Sequence, residues 1–108
     1  MTNDLLISLG IDPNSVNFTV SVISPNEIRE LNKQYRGKDT VTDVLSFPCL
    51  DIKAGQIPTR ENFPIDYNQE TGKVELGDIV INENEENQET LIEHGLLHLL
   101  GHHHEGDE

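Results

Sequence analysis

Near the end of the 108-residue chain, the run His94-Gly95-Leu96-Leu97-His98-Leu99-Leu100-Gly101-His102-His103-His104 narrows the folding options most. A helix through it puts His94 and His98 one turn apart on the same face, where two imidazoles can share one metal ion. Leu91, Leu96, Leu97, Leu99 and Leu100 surround the pair with apolar side chains, the dry shell a metal site prefers. Gly101 tolerates positive φ just past a helix end and can turn the chain sharply. His104 can then swing back as the third ligand. Ligands at i, i+4 and i+10, with glycine at i+7, have the spacing of the long zinc-protease motif. Three histidines and an open water position make a catalytic type of zinc site, one Zn²⁺ per chain. A single histidine on an apolar helix is more often a satisfied core residue. A histidine triplet can also be an affinity tag, but His94 and His98 lie outside any tag and Glu105-Gly106-Asp107-Glu108 follows the triplet.

The protease reading itself meets an obstacle. Zinc proteases with this spacing carry Glu directly after the first histidine as general base, and here that position is Gly95. Glu93 precedes the histidine and points about 100° away around the helix.

The remaining pattern mixes helices with strands. Residues 4–10 read as a short helix ending at Gly10, and Asp12-Pro13-Asn14 as a turn. Val16 to Ile23 is rich in β-branched residues and reads as a strand. Ser24-Pro25-Asn26-Glu27 is a capping box with Pro at N1. It starts a helix that carries Ile28, Leu31 and Tyr35 on one face and ends at Gly37. A strand follows over Thr42 to Phe47, stopped by Pro48. Residues 49–73 read as a long surface loop, with a hairpin as one option. Val74 to Ile81 is a third strand, with Gly77 as a bulge or a point of close approach. Residues 82–88 link it to the last helix, Glu89 to Leu100. The fold class expected is α+β: a small mixed β-sheet packed with helices, with a zincin-like metal-binding helix near the C-terminus, all in a single domain over residues 1–108.

Charge is distributed unevenly. Seven basic residues against twenty acidic ones give a net charge of −13, which argues against broad, nonspecific nucleic-acid binding. Yet Arg29, Lys33, Arg36 and Lys38 lie within ten positions. They form either the solvated face of a helix or a local phosphate-binding edge. The one cysteine, Cys49, excludes an intrachain disulfide and fits a reducing compartment; packing is its expected role, catalysis the minority one. The N-terminus has no basic n-region, and no stretch is long enough to span a bilayer. A cytoplasmic protein without membrane contact is the expectation.

Three segments together carry a family resemblance. His94 to His104 resembles the His-Gly-x-Leu-His-Leu-x-Gly-x-Asp-His signature of the YbeY family. Leu31-Asn32-Lys33-Gln34-Tyr35-Arg36-Gly37-Lys38-Asp39 with Thr42-Asp43-Val44-Leu45-Ser46-Phe47-Pro48 looks like its second signature, and Leu76-Gly77-Asp78-Ile79-Val80-Ile81 like its third. Departures are His103 for the signature's Asp, His102 for its usual aromatic, a short connector after Ile81 and a long 49–73 loop. The resemblance implies a metal-dependent endoribonuclease that matures ribosomal RNA, notably the 3′ end of the small-subunit RNA. Its partners would be ribosomal RNA, the small ribosomal subunit and ribosome-associated proteins. It implies metal ligation by His94, His98 and His104 and the family's catalytic arginine role for Arg36. Two other readings compete: a zinc-stabilised, non-catalytic ribosome-binding module, and a metallopeptidase-like hydrolase.

Overall fold

The computed structural model describes residues 2–102. Its elements in chain order are α1 (Thr2–Ser8), a 3₁₀ turn (Pro13–Ser15), β1 (Val16–Ile23), α2 (Pro25–Arg36), β2 (Val44–Pro48), β3 (Tyr67–Asn68), β4 (Lys73–Asn82) and α3 (Gln88–Leu99). This is a small α+β fold with a mixed sheet and, among the described residues, three α-helices.

The strand richest in branched apolar residues becomes the centre of the sheet. β1 runs parallel to β4 on one edge, and β2 runs antiparallel to it on the other. Val74 pairs with both Val16 and Tyr67, so short β3 continues the β2 edge. The expected irregularity at Gly77 is present as a bulge. Asn17 faces Glu75 and Phe18 faces Gly77, leaving Leu76 as the extra residue. A bulge shifts the two-residue alternation by one. Val74 and Leu76 before it, and Ile79 and Ile81 after it, therefore all join one core with Leu6, Leu96 and Leu99. Val80 faces the opposite way, against Ile28 and Leu45. Helices α1 and α3 thus cover one sheet face and α2 the other.

Helix α2 begins as the capping box predicts. Ser24 Oγ accepts from Glu27 N at 3.2 Å, and Ser24 N donates to Glu27 Oε1 at 3.3 Å, a cap that contributes about 1 kcal/mol. Gly37 ends it in the left-handed region at φ 71°. Its covered face differs from the expected one. Ile28 and Asn32 are buried, while Tyr35 is 64% exposed.

Three other boundaries move. Helix α1 occupies Thr2–Ser8 rather than 4–10. β2 starts at Val44, since Asp43 turns its carboxylate onto Val44 N at 2.8 Å, and Pro48 is its last paired residue. The 49–73 segment is more than surface: Leu50 and Ile52 are buried in the main core, and its end forms the β3–β4 hairpin. No described helix is long and apolar enough to cross a membrane.

Candidate active site

The i, i+4 spacing on α3 does what helical geometry requires. The imidazoles of His94 and His98 lie with ring centroids 4.7 Å apart, and their Nε2 atoms approach to 3.1 Å. Two nitrogens on one tetrahedral zinc, each at about 2.0–2.1 Å, would stand about 3.3 Å apart. The observed separation is close to that value, and His98 is buried at 6% exposure. Among the described residues no group of three or more metal-ligating side chains assembles. The expected third ligand, His104, and its neighbour His103 lie outside the described residues.

Two glycines shape this helix. Gly95 is buried against the sheet, where a Cβ would meet Ile79 Cγ2 at 2.9 Å. Glycine here lets α3 settle onto β4, and a glutamate in its place would collide with the core. Gly101 has φ 86°. Its N–H donates to His98 O at 3.0 Å, and His102 N donates to Leu97 O at 2.9 Å. Those two bonds make a Schellman end, the sharp turn expected of this residue. A Cβ on Gly101 would meet Ile52 O at 2.4 Å, so the 49–73 segment presses directly on the turn.

A cleft of about 560 Å³ wraps over the outer edge of β2. Arg36 and Tyr35 line it from α2, residues 42–47 form its floor, and His94 and His98 line it from α3. Arginine and histidines 58 positions apart or more thus share one cavity, although their helices cover opposite faces of the sheet. Partial burial pushes the Arg36 guanidinium below its ordinary pKa, and the nearby Asp43 carboxylate pushes it back up; a guanidinium stays charged through neutral pH regardless. Of the other clustered cations, Arg29 is engaged by Asp39 at 2.7 Å on the surface.

Two buried asparagines brace the chain between Arg36 and β2. Asn32 Nδ2 donates to Thr40 O at 2.9 Å. Asn82 N donates to Asp43 O at 2.9 Å, and its Nδ2 donates to Thr42 O at 3.3 Å. Buried amides of this kind hold their partners because leaving them unsatisfied is costly. Residue-by-residue reading singled out neither, since an asparagine's burial depends on what folds over it. Tyr35, on the helix face it shares with Ile28 and Leu31, lines the cleft.

Cys49 is exposed, which overturns its expected packing role. It follows the edge-strand end at Pro48. Partial desolvation of the sulfur, then the charges of Asp78, Asp66 and Glu75, push the thiol pKa up. A raised pKa means less thiolate at neutral pH, hence a poor nucleophile. Cys49 should therefore react with iodoacetamide more slowly than an unperturbed thiol at pH 7 and gain speed above pH 9. Mass spectrometry over time checks this; rapid labelling at neutral pH would contradict it.

Sequence comparison agrees with the three motifs. The sequence model of the Endoribonuclease YbeY family matches residues 3–108. The chain is similar to the Endoribonuclease YbeY of Koribacter versatilis (strain Ellin345), with 42% identity over 82% of this chain and 53% of that protein. It is similar to the one of Aquifex aeolicus (strain VF5), with 41% identity over 93% of this chain and 63% of that protein. The match to the one of Thermodesulfovibrio yellowstonii is 32% identical over 81% of this chain and 53% of that protein. The chain therefore spans between about half and two thirds of the length of these relatives. With the family model running from the first helix through the histidine run, the chain belongs to the YbeY endoribonuclease family.

Proposed function

We propose that this chain is a zinc-dependent endoribonuclease acting in the cytoplasm on ribosomal RNA, at the 3′ end of the small-subunit RNA, during ribosome maturation. The observation that carries the reading is the shared cleft: a charged, half-buried guanidinium across from two converging imidazoles. That pairing suits a phosphodiester, whose charge a planar guanidinium can hold with two parallel hydrogen bonds. His94, His98 and His104 would hold one Zn²⁺ on α3, which makes α3 a zincin-like helix. When bound, zinc supplies Lewis-acid activation of the phosphodiester and of the attacking water. Arg36 orients the phosphate and stabilises charge developing on its oxygens. Asn32, Asn82 and Asp43 keep Arg36 and the cleft floor in register. The relatives' shared name, Endoribonuclease YbeY, supports the reaction class. The contact between Gly95 and Ile79 speaks against a peptidase, because the sheet occupies the place of the glutamate base.

Arg36→Lys tests the reading, since it keeps the charge and removes the fork. The zinc-loaded variant should match wild type in metal content and melting temperature, while cleaving small-subunit ribosomal RNA at least about tenfold more slowly, about 1.4 kcal/mol in the barrier. Equal rates would remove Arg36 from the chemistry. Wild type that binds the RNA with zinc but never cuts it would favour the non-catalytic ribosome-binding module.

A further inference from the structure

Tyr35 sits at i+7 from Ile28 on α2, on the same helix face. Ile28 is fully buried and Leu31 half-buried, yet Tyr35 is 64% exposed. The ring nevertheless has an aromatic neighbour. Phe47, packed on the Ile28–Leu45–Val80 cluster, meets it edge-on, with centroids 5.2 Å apart and planes at 74°. An edge contact of this kind orients an aromatic ring, and most of the ring's surface remains open. Tyr35 lines the same cleft as the adjacent Arg36 and as His94 and His98. A tyrosine needed only to cap a helix end in water has no reason to be held by a core-anchored phenyl ring inside a cleft.

We propose that Tyr35, steadied by Phe47, is a nucleobase-stacking platform that docks an unpaired RNA base beside the phosphate held by Arg36. The inference rests on the RNA reading of the cleft and adds what that reading lacks, a site for the base. Every base has a π-face, and aromatic side chains that receive one bind RNA without reading its sequence. Phosphate binding by Arg36 alone would leave the adjoining base free in solvent. The aromatic platform gives the acidic chain an affinity for RNA that does not depend on a broad basic surface. Stacking releases no counterions, so its contribution stays nearly constant as salt rises, unlike that of the phosphate contact.

The test is fluorescence anisotropy of the zinc-loaded protein with a short, labelled oligoadenylate, and with the same strand carrying one abasic nucleotide at successive positions. Tyr35→Ala should weaken binding of the intact strand about tenfold without changing the slope of affinity against salt. Tyr35→Phe should stay within about twofold of wild type, because it keeps the ring. For wild type, one abasic position should cost affinity, and that cost should vanish in Tyr35→Ala. An abasic penalty of equal size in Tyr35→Ala would overturn the platform while leaving the RNA reading intact. So would loss of affinity in Tyr35→Phe matching that in Tyr35→Ala, which would make the hydroxyl the contact. Failure of wild type to bind the intact strand would overturn the RNA reading and the platform with it.

Discussion

Replacing His98 with alanine should lower zinc affinity at least about a hundredfold and remove RNA cleavage along with it. Weakening even an outer partner of a metal ligand costs about 10–100-fold in affinity, and His98 is proposed as an inner ligand. It is also the more buried of the two converging imidazoles. Metal binding to the folded state raises stability by mass action, and the zinc-loaded wild type should therefore melt higher than the chelator-treated protein. In His98→Ala that difference should disappear. The apo forms are the control for folding: apo His98→Ala should melt near apo wild type, apart from the modest loss from truncating one buried ring. Competition with a chromophoric chelator measures the affinity, and thermal melts with and without chelator measure the coupling. If His98→Ala holds zinc like wild type and keeps its chelator-sensitive melting, α3 is not the metal helix.

Gly77→Ala should be the most damaging single substitution to the fold that the glycine geometry foresees. A Cβ there would lie 2.3 Å from Phe47 O and 3.0 Å from Leu99 Cδ2. The first obstacle is backbone on the neighbouring strand, which cannot move without breaking the β2–β4 pairing. The second belongs to α3, and yielding there would shift the helix that carries the histidines. The residue also has φ 135°, which alanine adopts only under strain. Strain and overpacking together should cost about 3–5 kcal/mol, a large part of the roughly 5–15 kcal/mol that holds a domain of this size. At about 4–8 °C per kcal/mol, the melting temperature should drop by more than about 10 °C. Gly55 supplies the comparison: its φ is also positive, at 92°, but its added Cβ meets nothing within 4 Å. Gly55→Ala should therefore cost strain alone and lose far less. Similar melting temperatures for the two variants would mean that β2 and β4 can separate locally without penalty.

Short-range physics wrote much of this fold directly into the sequence. The capping box at Ser24, the helix end at Gly37 and the Schellman turn at Gly101 depend on contacts within a few residues of each other. So does the His94–His98 pairing, which follows from four residues making about one helical turn. The disruption at Gly77 was legible because glycine inside a β-branched strand signals a bulge or a close approach, and it serves as both. The histidine run and its two companion motifs also carried the family assignment.

The rest depended on partners distant in sequence. Nothing local distinguishes Tyr35 from a core residue, because its exposure depends on which distant segments pack against α2. Cys49 is exposed for a similar reason, at the end of an edge strand. The 49–73 segment lacks periodicity, yet Leu50 and Ile52 enter the core because α3 and β4 leave an apolar surface there. Asn32 and Asn82 look like surface amides until the 40–43 segment folds onto them. The cleft itself is a tertiary product. Arg36 and His94 line one cleft because a short edge strand, β2, separates two helices packed on opposite faces of the sheet. A helix's own periodicity determines which side chains share a face, but the chain segments that cover that face decide whether it becomes core or site.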